Sequence, residues 1–452
     1  TMLADIMLRD SANIQMQDAE WKTRKEQRAG HGPVEPKYTV QDVEGLMKLF
    51  RPCEYGEMVQ INEHIHVRFN DAGHLLGSAN IEVWLKEGQT ERKVLFSGDV
   101  GNKHQPILRN PTPVDEADYV VIESTYGDRL HEEVKDIVHP LAEYLQKTFD
   151  RGGNVVIPAF AVGRTQEMLY FIRQIKAAHL VHGHEDFPVY VDSPLASKST
   201  TIFRENFMDC YDEEALALVQ AGQNPLSFPG LHISETKEDS VAINMDTVPK
   251  VILSASGMCD AGRIRHHLKH NLWRGECTVL FVGFQSPGTL GRALLEGADE
   301  VRLFGETVQV NAQIRQMTGL SGHADREGLL RWIRHFDPKP RHVFVNHGED
   351  HVAEGFAREL MAEGIPAEAP YNGAVYELSG GKVTLLRQGN TVPLASPEPS
   401  EAAKPRTSAA FERLVNMGKR LMVVIEHNRG GANKDLARFA SQIASLCDKW
   451  DR

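Results

Sequence analysis

Hydrophobic positions follow two different periods along the first hundred residues. Residues 1–30 have helical spacing, and Thr39 is a candidate N-cap for a second helix with Asp42 in its first turn. Between residues 58 and 98 the apolar positions come in short alternating runs, which read MVQIN, HVRFN, NIEVWL and KVLFSG. This change of period predicts a helical start followed by a set of strands.

From residue 118 onward, apolar runs alternate with helical stretches. The runs read DYVVIE, NVVIP, PVYVD, KVILSA and CTVLFVG, and the helical stretches include residues 131–150 and one that begins near Arg164. Residues 299–318 return to short strands, and helices over 325–336 and 350–363 flank the run HVFVN. The alternation of strands and helices predicts a parallel or mixed α/β sheet.

The C-terminal part of the chain has a different composition. Residues 389–408 are rich in Pro, Ser and Ala, which predicts a linker. Residues 409–452 have the pattern of two amphipathic helices broken at 429–431. Three roles for this helical extension stay open: dimerisation, docking of a partner, or packing against the body of the protein.

Length and charge limit the classes of function. With 452 residues the chain is long enough for two or three domains. A net charge of −12 argues against a generally basic surface for nucleic acid. RNA stays possible, because bound divalent metals and a few basic residues can hold phosphates in a cleft. No apolar run approaches the length of a membrane span, so we expect no membrane association.

The chain contains five cysteines, which are scattered and form no C-x-x-C pair: Cys53, Cys210, Cys259, Cys277 and Cys447. An odd, scattered set indicates reduced thiols rather than a disulfide framework or a thiolate zinc site. We therefore expect a cytoplasmic protein in which each cysteine is a buried structural residue.

Three candidate metal ligands share one sequence context. His74, Asp99 and His347 each follow an apolar strand and stand next to a glycine, in the segments DAGHLLG, FSGDVGN and VNHGED. Imidazole and carboxylate are the usual zinc ligands outside thiolate sites. With 20 histidines in the chain, most are ordinary surface or core residues, but the repeated strand-then-glycine context favours ligation at these positions.

Two further residues suit acid–base chemistry. Glu123 ends the strand DYVVIE, and His323 lies in LSGHADR, just before a helix that Asp325 is placed to cap. A carboxylate beside a histidine orients the ring and raises its pKa, which makes the histidine a proton donor. Taken alone, each motif is equally compatible with a loop carboxylate or with ordinary helix capping.

Eight segments, in this order, resemble the β-CASP family of metallo-β-lactamase-fold nucleases: DAGHLLGSA, FSGDVGN, VIESTYGDR, VGRTQEMLY, VDSPLA, SASGM, LSGHADR and VNHGE. The chain is most similar to the endonuclease subunit of the eukaryotic cleavage and polyadenylation factor and its prokaryotic relatives, over roughly residues 1–388. The resemblance implies an α/β fold, namely a metallo-β-lactamase αββα sandwich, incomplete at the N-terminus, with an inserted β-CASP α/β domain. The implied boundaries are 1–133 and 308–388 for the two lactamase parts and 134–307 for the β-CASP domain.

The resemblance also implies roles for individual residues. His74 matches a ligand of a first zinc, Asp99 an aspartate that bridges two zincs, and His347 a ligand of the second zinc. His323, oriented by Glu123, matches the residue that protonates the leaving O3′. Two residues match positions that contact substrate: Ser321 and Arg164.

The family motif His-x-His-x-Asp-His is expected upstream of residue 1, so we interpret the sequence as an N-terminally truncated enzyme. Residues 182–187 read HGHEDF and imitate part of this motif, but Phe187 replaces the last histidine, and a surface loop is the expected structure. Zinc takes about four ligands. We therefore expect doubtful metal binding and no activity from this chain alone, although the complete enzyme would hold two zinc ions.

These observations lead to one functional hypothesis and two rivals. The hypothesis is a zinc-dependent ribonuclease that hydrolyses single-stranded RNA, either alone, as a homodimer or within an RNA-processing complex. The first rival is a non-catalytic RNA-binding or scaffold homologue, which would be expected to lose the candidate site residues His74, Asp99, His323 and His347. The second is a small-molecule metallo-hydrolase, which has no need of a large second domain. Endonuclease and 5′→3′ exonuclease action stay equally open.

Overall fold

The structure, a computed structural model, describes residues 1–28, 32–132, 136–379, 382–391, 409–430 and 432–450. The strands of this part are, in chain order, β1 Met58–Asn62, β2 Ile65–Asp71, β3 Ala79–Glu87, β4 Thr90–Phe96, β5 Tyr119–Glu123, β6 Val155–Pro158, β7 Val189–Val191, β8 Leu231–Ile233, β9 Val251–Ser254, β10 Thr278–Phe281, β11 Glu300–Leu303, β12 Glu306–Gln309, β13 Gln313–Gln316, β14 His342–Asn346, β15 Ala367–Glu368, β16 Val375–Glu377 and β17 Thr384–Arg387.

The helices of the same residues are α1 Met2–Arg28, α2 Val40–Met47, α3 Val138–Asp150, α4 Arg164–Ala177, α5 Pro194–Glu205, α6 Phe207–Cys210, α7 Glu213–Gln220, α8 Lys237–Met245, α9 Ile264–Asn271, α10 Leu290–Leu295, α11 Arg326–Arg334, α12 Asp350–Ala362, α13 Ala409–His427 and α14 Asn433–Trp450. The predicted helix cap at Thr39 is present as a capping box with Asp42.

Most strands belong to two large sheets. The first has the order β1-β2-β3-β4-β5-β14-β15. It is antiparallel from β1 to β4 and parallel from β4 to β15. The second has the order β13-β10-β6-β9-β7-β8 and is parallel throughout. The predicted α/β class, a lactamase-type layer with an inserted α/β domain, agrees with this arrangement.

The second sheet is buried on both faces, as parallel sheets usually are. Along β6, Val155 and Ile157 join the apolar cluster that contains the side chains of α3 and α4. The intervening Val156 joins the opposite cluster, with Ile264 and Leu268 of α9. Because β-strand side chains alternate between faces, this short apolar run serves two helical layers at once.

The seven-stranded sheet has its own core. Val120 and Ile122 of β5 and Val343 of β14 pack against α11 and α12 through Leu329 and Phe356. This core is separate from the two clusters that cover the second sheet, and each sheet presents its strand ends as a rigid base for loops.

The chain segment before α3 differs from the prediction. A helix over 131–150 is wrong, because α3 begins only at Val138. The Asp136 carboxylate accepts hydrogen bonds from the backbone N–H groups of Val138 and His139, at 2.9 and 3.2 Å. An acidic side chain that caps these free donors fixes the start of the helix at this point.

The domain boundaries stay predictions. The start of the predicted insertion at residue 134 lies outside the described residues, and so does the predicted linker from residue 392 onward. Strand β13, which follows the predicted boundary at 307, pairs with β10 of the inserted sheet. The expected C-terminal helices are present as α13 and α14, and no described side chain of 413–427 or 433–450 is buried. Within the described residues, no helix combines the length and the apolar character required of a membrane span.

The cysteine predictions hold only in part. All five thiols are free, and Cys210, Cys259 and Cys277 are buried. Cys447 is exposed and Cys53 is half-buried, so the expectation of burial is wrong for these two. The reason at Cys447 is its place on α14, a helix without a buried face.

Candidate metal and catalytic centre

The candidate site lies at one edge of the seven-stranded sheet. Asp99 follows β4, Glu123 is the last residue of β5, and His347 follows β14. These three strands are parallel neighbours, so their carboxyl ends meet at one edge. Strand β2 points the same way, because two antiparallel pairings separate it from β4, and its following loop brings His74 to the same edge.

Glycines beside two of these residues are required by geometry. Gly98 has a φ of +57°, and a Cβ there would lie 2.6 Å from the carbonyl oxygen of Ala79. Gly73 has a φ of +66°, and its Cβ would lie 2.6 Å from the backbone nitrogen of Pro111. A side chain is excluded at both positions. The glycines that follow these strands in the sequence therefore mark tight turns, and these turns position His74 and Asp99.

Asp99 lies between two histidines. Its Oδ2 is 3.6 Å from Nε2 of His74, and its Oδ1 is 3.3 Å from Nε2 of His347. The His74 side chain is mostly buried, whereas that of His347 is 60 % exposed. Each carboxylate oxygen thus faces one imidazole nitrogen, so the carboxylate and the two imidazoles could together hold metal.

His323 and Glu123 form a buried pair beside these residues. The imidazole Nδ1 of His323 lies 3.0 Å from Oε2 of Glu123 and 3.2 Å from Oε1. The carboxylate also accepts a hydrogen bond of 2.6 Å from the backbone N–H of Val100. The Glu123 side chain is 1 % exposed, so its orientation is held by these contacts. The ring of His323 lies 4.3 Å from that of His74, centroid to centroid.

The pKa directions agree with this geometry. Burial lowers the pKa of His74, and neighbouring His323 lowers it further. Burial also acts against a charged His323, but the hydrogen bond and charge of Glu123 outweigh it and raise the pKa of His323. Although its own burial acts to raise it, the pKa of Glu123 is lowered by the hydrogen bond to His323. Near neutral pH, His74 is thus a neutral imidazole suited to bind metal, and His323 is biased toward the proton-carrying form.

The group of donor atoms that lie together in the structure differs from the ligand set that the family resemblance implied. Within the described residues, ligand atoms of His74, Asp99 and His323 lie within 4.8 Å of one another. The resemblance implied His347 as the second histidine ligand and His323 as the acid. We keep that assignment as a prediction, because Nδ1 of His323 is already held by Glu123 and His347 faces the other oxygen of Asp99.

The donor set fits a zinc-type ion. It consists of imidazole nitrogens and a carboxylate, which zinc prefers when thiolates are absent, and His74 is held in its neutral form. Gly322 contributes to the fit, because a Cβ there would lie 3.0 Å from Cε1 of His74 and would displace the ring. Gly322 therefore leaves room for the ring of His74, a candidate metal ligand, in addition to forming a turn.

Ser321 and Arg164, the predicted substrate contacts, line one cavity of about 1460 Å³. Its lining includes Val100 and Ala324, the chain neighbours of Asp99 and His323, but none of the five side chains of the site itself. The Ser321 hydroxyl accepts a hydrogen bond from the backbone N–H of His323 at 3.3 Å. The Arg164 guanidinium donates to the carbonyl of Leu320 and pairs with Glu167. Arg164 thus fastens the first turn of α4 to the loop that carries His323, and its side chain is largely buried.

Two contributors were missed from the sequence. The Gln105 amide donates to the carbonyl of Gly322 at 2.7 Å, and Nε2 of His131 lies 3.0 Å from the carbonyl oxygen of His323. Both hold the His323 loop in place. His131 follows the segment VIESTYGDR closely and was open to notice, whereas no pattern marks Gln105.

The segment HGHEDF has the predicted surface location. It forms a turn between α4 and β7 in which His182 and Asp186 are exposed. Phe187 points inward and packs against Phe149, with ring centroids 5.2 Å apart. The buried phenylalanine explains why the imitation of the zinc motif ends at this residue.

Comparison with known proteins agrees with this geometry. A Beta-Casp domain matches residues 165–294, and a Zn-dependent metallo-hydrolase RNA specificity domain matches residues 307–370. The chain is 37% identical over 362 residues to Ribonuclease TTHA0252 of Thermus thermophilus, which covers 80% of this chain and 76% of the relative. It is 31% identical over 343 residues to an RNase J-like protein of Methanocaldococcus jannaschii, covering 75% and 77% of the two chains.

A third similarity is to transcription termination factor FttA of Methanocaldococcus jannaschii, 31% identical over 331 residues, which covers 71% of this chain and 51% of that protein. The fold, the site and these similarities define a nuclease of the metallo-β-lactamase class with an inserted domain. The chain belongs to the β-CASP family of metallo-β-lactamase-fold ribonucleases.

Proposed function

We propose that this chain acts on single-stranded RNA as a zinc-dependent ribonuclease that hydrolyses phosphodiester bonds. The observation that carries the proposal is the convergence of His74, Asp99 and His347 beside the buried Glu123–His323 pair. A small substrate would not need the cavity of about 1460 Å³ that adjoins the site.

His74, Asp99 and His347 are the residues that would hold the metal. Bound zinc would supply a Lewis acid that neutralises developing phosphate charge and lowers the pKa of water. Glu123 keeps Nδ1 of His323 occupied, so that the opposite ring nitrogen, Nε2, is available to donate a proton to the departing O3′. The products are then a 5′-phosphate and a 3′-hydroxyl.

Ser321 and Arg164 act on the substrate side. Ser321 lines the cavity directly before the His323 loop, where its hydroxyl can donate to a phosphate oxygen. Arg164 holds that loop through Leu320, and its charge is paired with Glu167, so it acts by positioning the loop at the cavity wall. A chain with a net charge of −12 needs local positive charge to receive an RNA backbone, and the cavity lining also includes Lys103 and Arg331.

We further propose that the isolated polypeptide holds metal weakly and is inactive at trace zinc. The three assigned ligands are shared between two ions, whereas each zinc takes about four ligands. Because binding is weak, the fraction of chains that hold metal at this site depends strongly on the concentration of added zinc.

The proposal predicts how RNA binding and hydrolysis respond to zinc. Fluorescently labelled single-stranded RNA should bind the full chain, with no detectable cleavage at trace zinc. Slow cleavage should appear as zinc is raised toward about 1 mM, because mass action fills the weak site. Glu123→Gln should lower that rate by at least about 100-fold, the scale of general acid catalysis. Products resolved by gel electrophoresis and phosphatase treatment check the 5′-phosphate.

The alternatives give different results in the same assay. RNA that binds without cleavage at every zinc concentration would favour a non-catalytic RNA-binding protein. Hydrolysis of a chromogenic lactam with no effect on RNA would favour a small-molecule hydrolase. Asp150→Asn serves as a control in this assay, because it alters an Asp–His pair with His184 that lies outside the assigned ligands and outside the cavity lining.

A further inference from the structure

Two phenylalanines are exposed at the carboxyl edge of the six-stranded sheet. Phe160 is 46% exposed and Phe284 is 43% exposed. The residues around them are buried: Ala159 and Ala161 flank the first, and Gln285 follows the second. In each loop one aromatic ring therefore faces solvent while the adjoining chain is packed.

The strand register places the two loops that carry these rings side by side. Phe160 is two residues beyond the end of β6, and Phe284 is three residues beyond the end of β10. Strands β6 and β10 are parallel neighbours, with Thr278 opposite Val155. Neighbouring strands lie about 5 Å apart, so the two loops leave the sheet next to each other.

The same edge carries the proposed proton donor. Strand β13 is the other neighbour of β10, and the loop after β13 leads to Ser321 and His323. The loops after β13, β10 and β6 therefore follow one another across the sheet. A substrate that reaches His323 lies along the row of loops that carries Phe284 and Phe160.

Contacts between the loops hold this row in place. The Thr165 hydroxyl donates to the carbonyl of Phe160 at 2.8 Å, and neighbouring Arg164 donates to Leu320 in the His323 loop. The Gln285 amide donates to the carbonyl of Gly257 at 2.9 Å and to that of Phe284 at 3.0 Å. The rings are thus carried by tethered backbone rather than by free loops.

The backbone of Gly257, in the loop after β9, packs against Phe160. A Cβ at Gly257 would lie 3.3 Å from Cδ2 of the ring. The lack of a side chain there lets this loop support Phe160, which stays 46% exposed. Single exposed apolar residues are common, but two that lie on adjacent strand ends in line with a candidate active site form a distinct surface.

We propose that Phe160 and Phe284 stack against nucleobases of the RNA strand whose backbone enters the site, which makes them a base-binding platform. This inference rests on the proposed function and adds that the bases of the RNA are the part of the substrate that is bound. Every base has a π face, so such a platform binds single strands with little sequence preference. It also excludes duplex RNA, because paired bases do not expose their faces.

The test separates base stacking from backbone binding. The full chain is titrated with two labelled single strands of about twelve nucleotides, one intact and one abasic with the same phosphate charge. The unaltered chain should bind the intact strand roughly ten-fold more tightly, the scale of stacking on aromatic side chains. Phe160→Leu and Phe284→Leu keep apolar volume without a π face, and the two together should remove that preference while leaving abasic binding unchanged.

Phe304→Leu is the matched control. Phe304 is 45% exposed and lies on the turn of the separate β11–β12 sheet, stacked on His266. This variant should keep the preference for intact RNA. Melting curves check that all variants fold.

Four results count against the proposal, and they do not all overturn the same claim. A retained preference in the double variant, or an equal loss of binding for both strands, would overturn the platform alone. The same holds if the control loses the preference as strongly. Failure of the unaltered chain to bind either strand would overturn RNA binding and, with it, the proposed function.

Discussion

Asp99→Asn is expected to weaken zinc binding by the full chain by more than about 100-fold. Residues that only orient metal ligands cost 10- to 100-fold when they are lost, and a carboxylate that faces two imidazoles should exceed that range. The reason is visible in the distances, since Oδ1 faces His347 at 3.3 Å and Oδ2 faces His74 at 3.6 Å. Calorimetric titration of the metal-free chain with zinc measures the affinity directly.

Asp115→Asn is the matched control for this measurement. Asp115 also lies 3.0 Å from a histidine, His335, but its side chain is 89% exposed. Zinc binding should be unchanged in this variant. No detectable binding by the unaltered chain at millimolar zinc would speak against a metal site at Asp99.

The same titration decides between the two assignments of the histidines. If His347 is a ligand and His323 the proton donor, His347→Ala should lose zinc as Asp99→Asn does, and His323→Ala should lose less than ten-fold. The opposite order would assign the ion to the group of His74, Asp99 and His323, whose donor atoms lie within 4.8 Å. Hydrolysis in added zinc would then need another proton donor.

The sequence predicted where the candidate site lies better than it predicted the contacts within that site. His74, Asp99 and His347 were found because parallel strand ends gather at one edge and because tight turns there require glycine. The 3.0 Å contact between Glu123 and His323 joins residues 200 positions apart, and only the family resemblance indicated it. The sequence pattern around either residue contains no information on a contact between residues so far apart in the chain.

The fold was predictable to the level of elements and less so in their boundaries and pairings. Strand β13 has an alternating pattern, but a four-residue run does not say which sheet it joins, and it pairs with β10. The start of α3 depends on the Asp136 cap, which overrides apolar spacing upstream of it. The contact of Gln105 with Gly322 arises from tertiary packing alone, so no sequence signal marks it.

Asp192→Ala is expected to lower the free energy of unfolding by about 3–5 kcal/mol, the cost of removing one member of a buried charged network. Asp192 directly follows β7, and its side chain is fully buried. Its carboxylate accepts from Arg263 and lies against Nε2 of His267, both at 2.6 Å, and accepts from the Ser240 hydroxyl at 2.5 Å. Alanine removes this acceptor from all three partners, and among the described residues Arg263 keeps only its bonds to Ser234 and Glu235.

The pH dependence has a defined sign. Burial acts to raise the pKa of Asp192, but hydrogen bonds from His267 and its other partners hold it well below the ordinary value. A depressed pKa stabilises the fold above the pKa of the unfolded chain, and this stabilisation is lost as the pH falls toward the folded pKa. The difference in unfolding free energy between Asp192→Ala and the unaltered chain should narrow as the pH falls below about pH 4.

Denaturant unfolding at several pH values measures this difference, and the chain supplies a matched control. Asp136 also lies 2.6 Å from a histidine, His139, but in an exposed setting. Asp136→Ala should cost only about 1 kcal/mol, the scale of a lost helix cap. Equal losses for both variants would show that burial of the Asp192 network adds nothing. A large loss confined to Asp192 would mean that the six-stranded sheet depends on this carboxylate, and with it the loops at the carboxyl edge that carry Phe160 and Phe284.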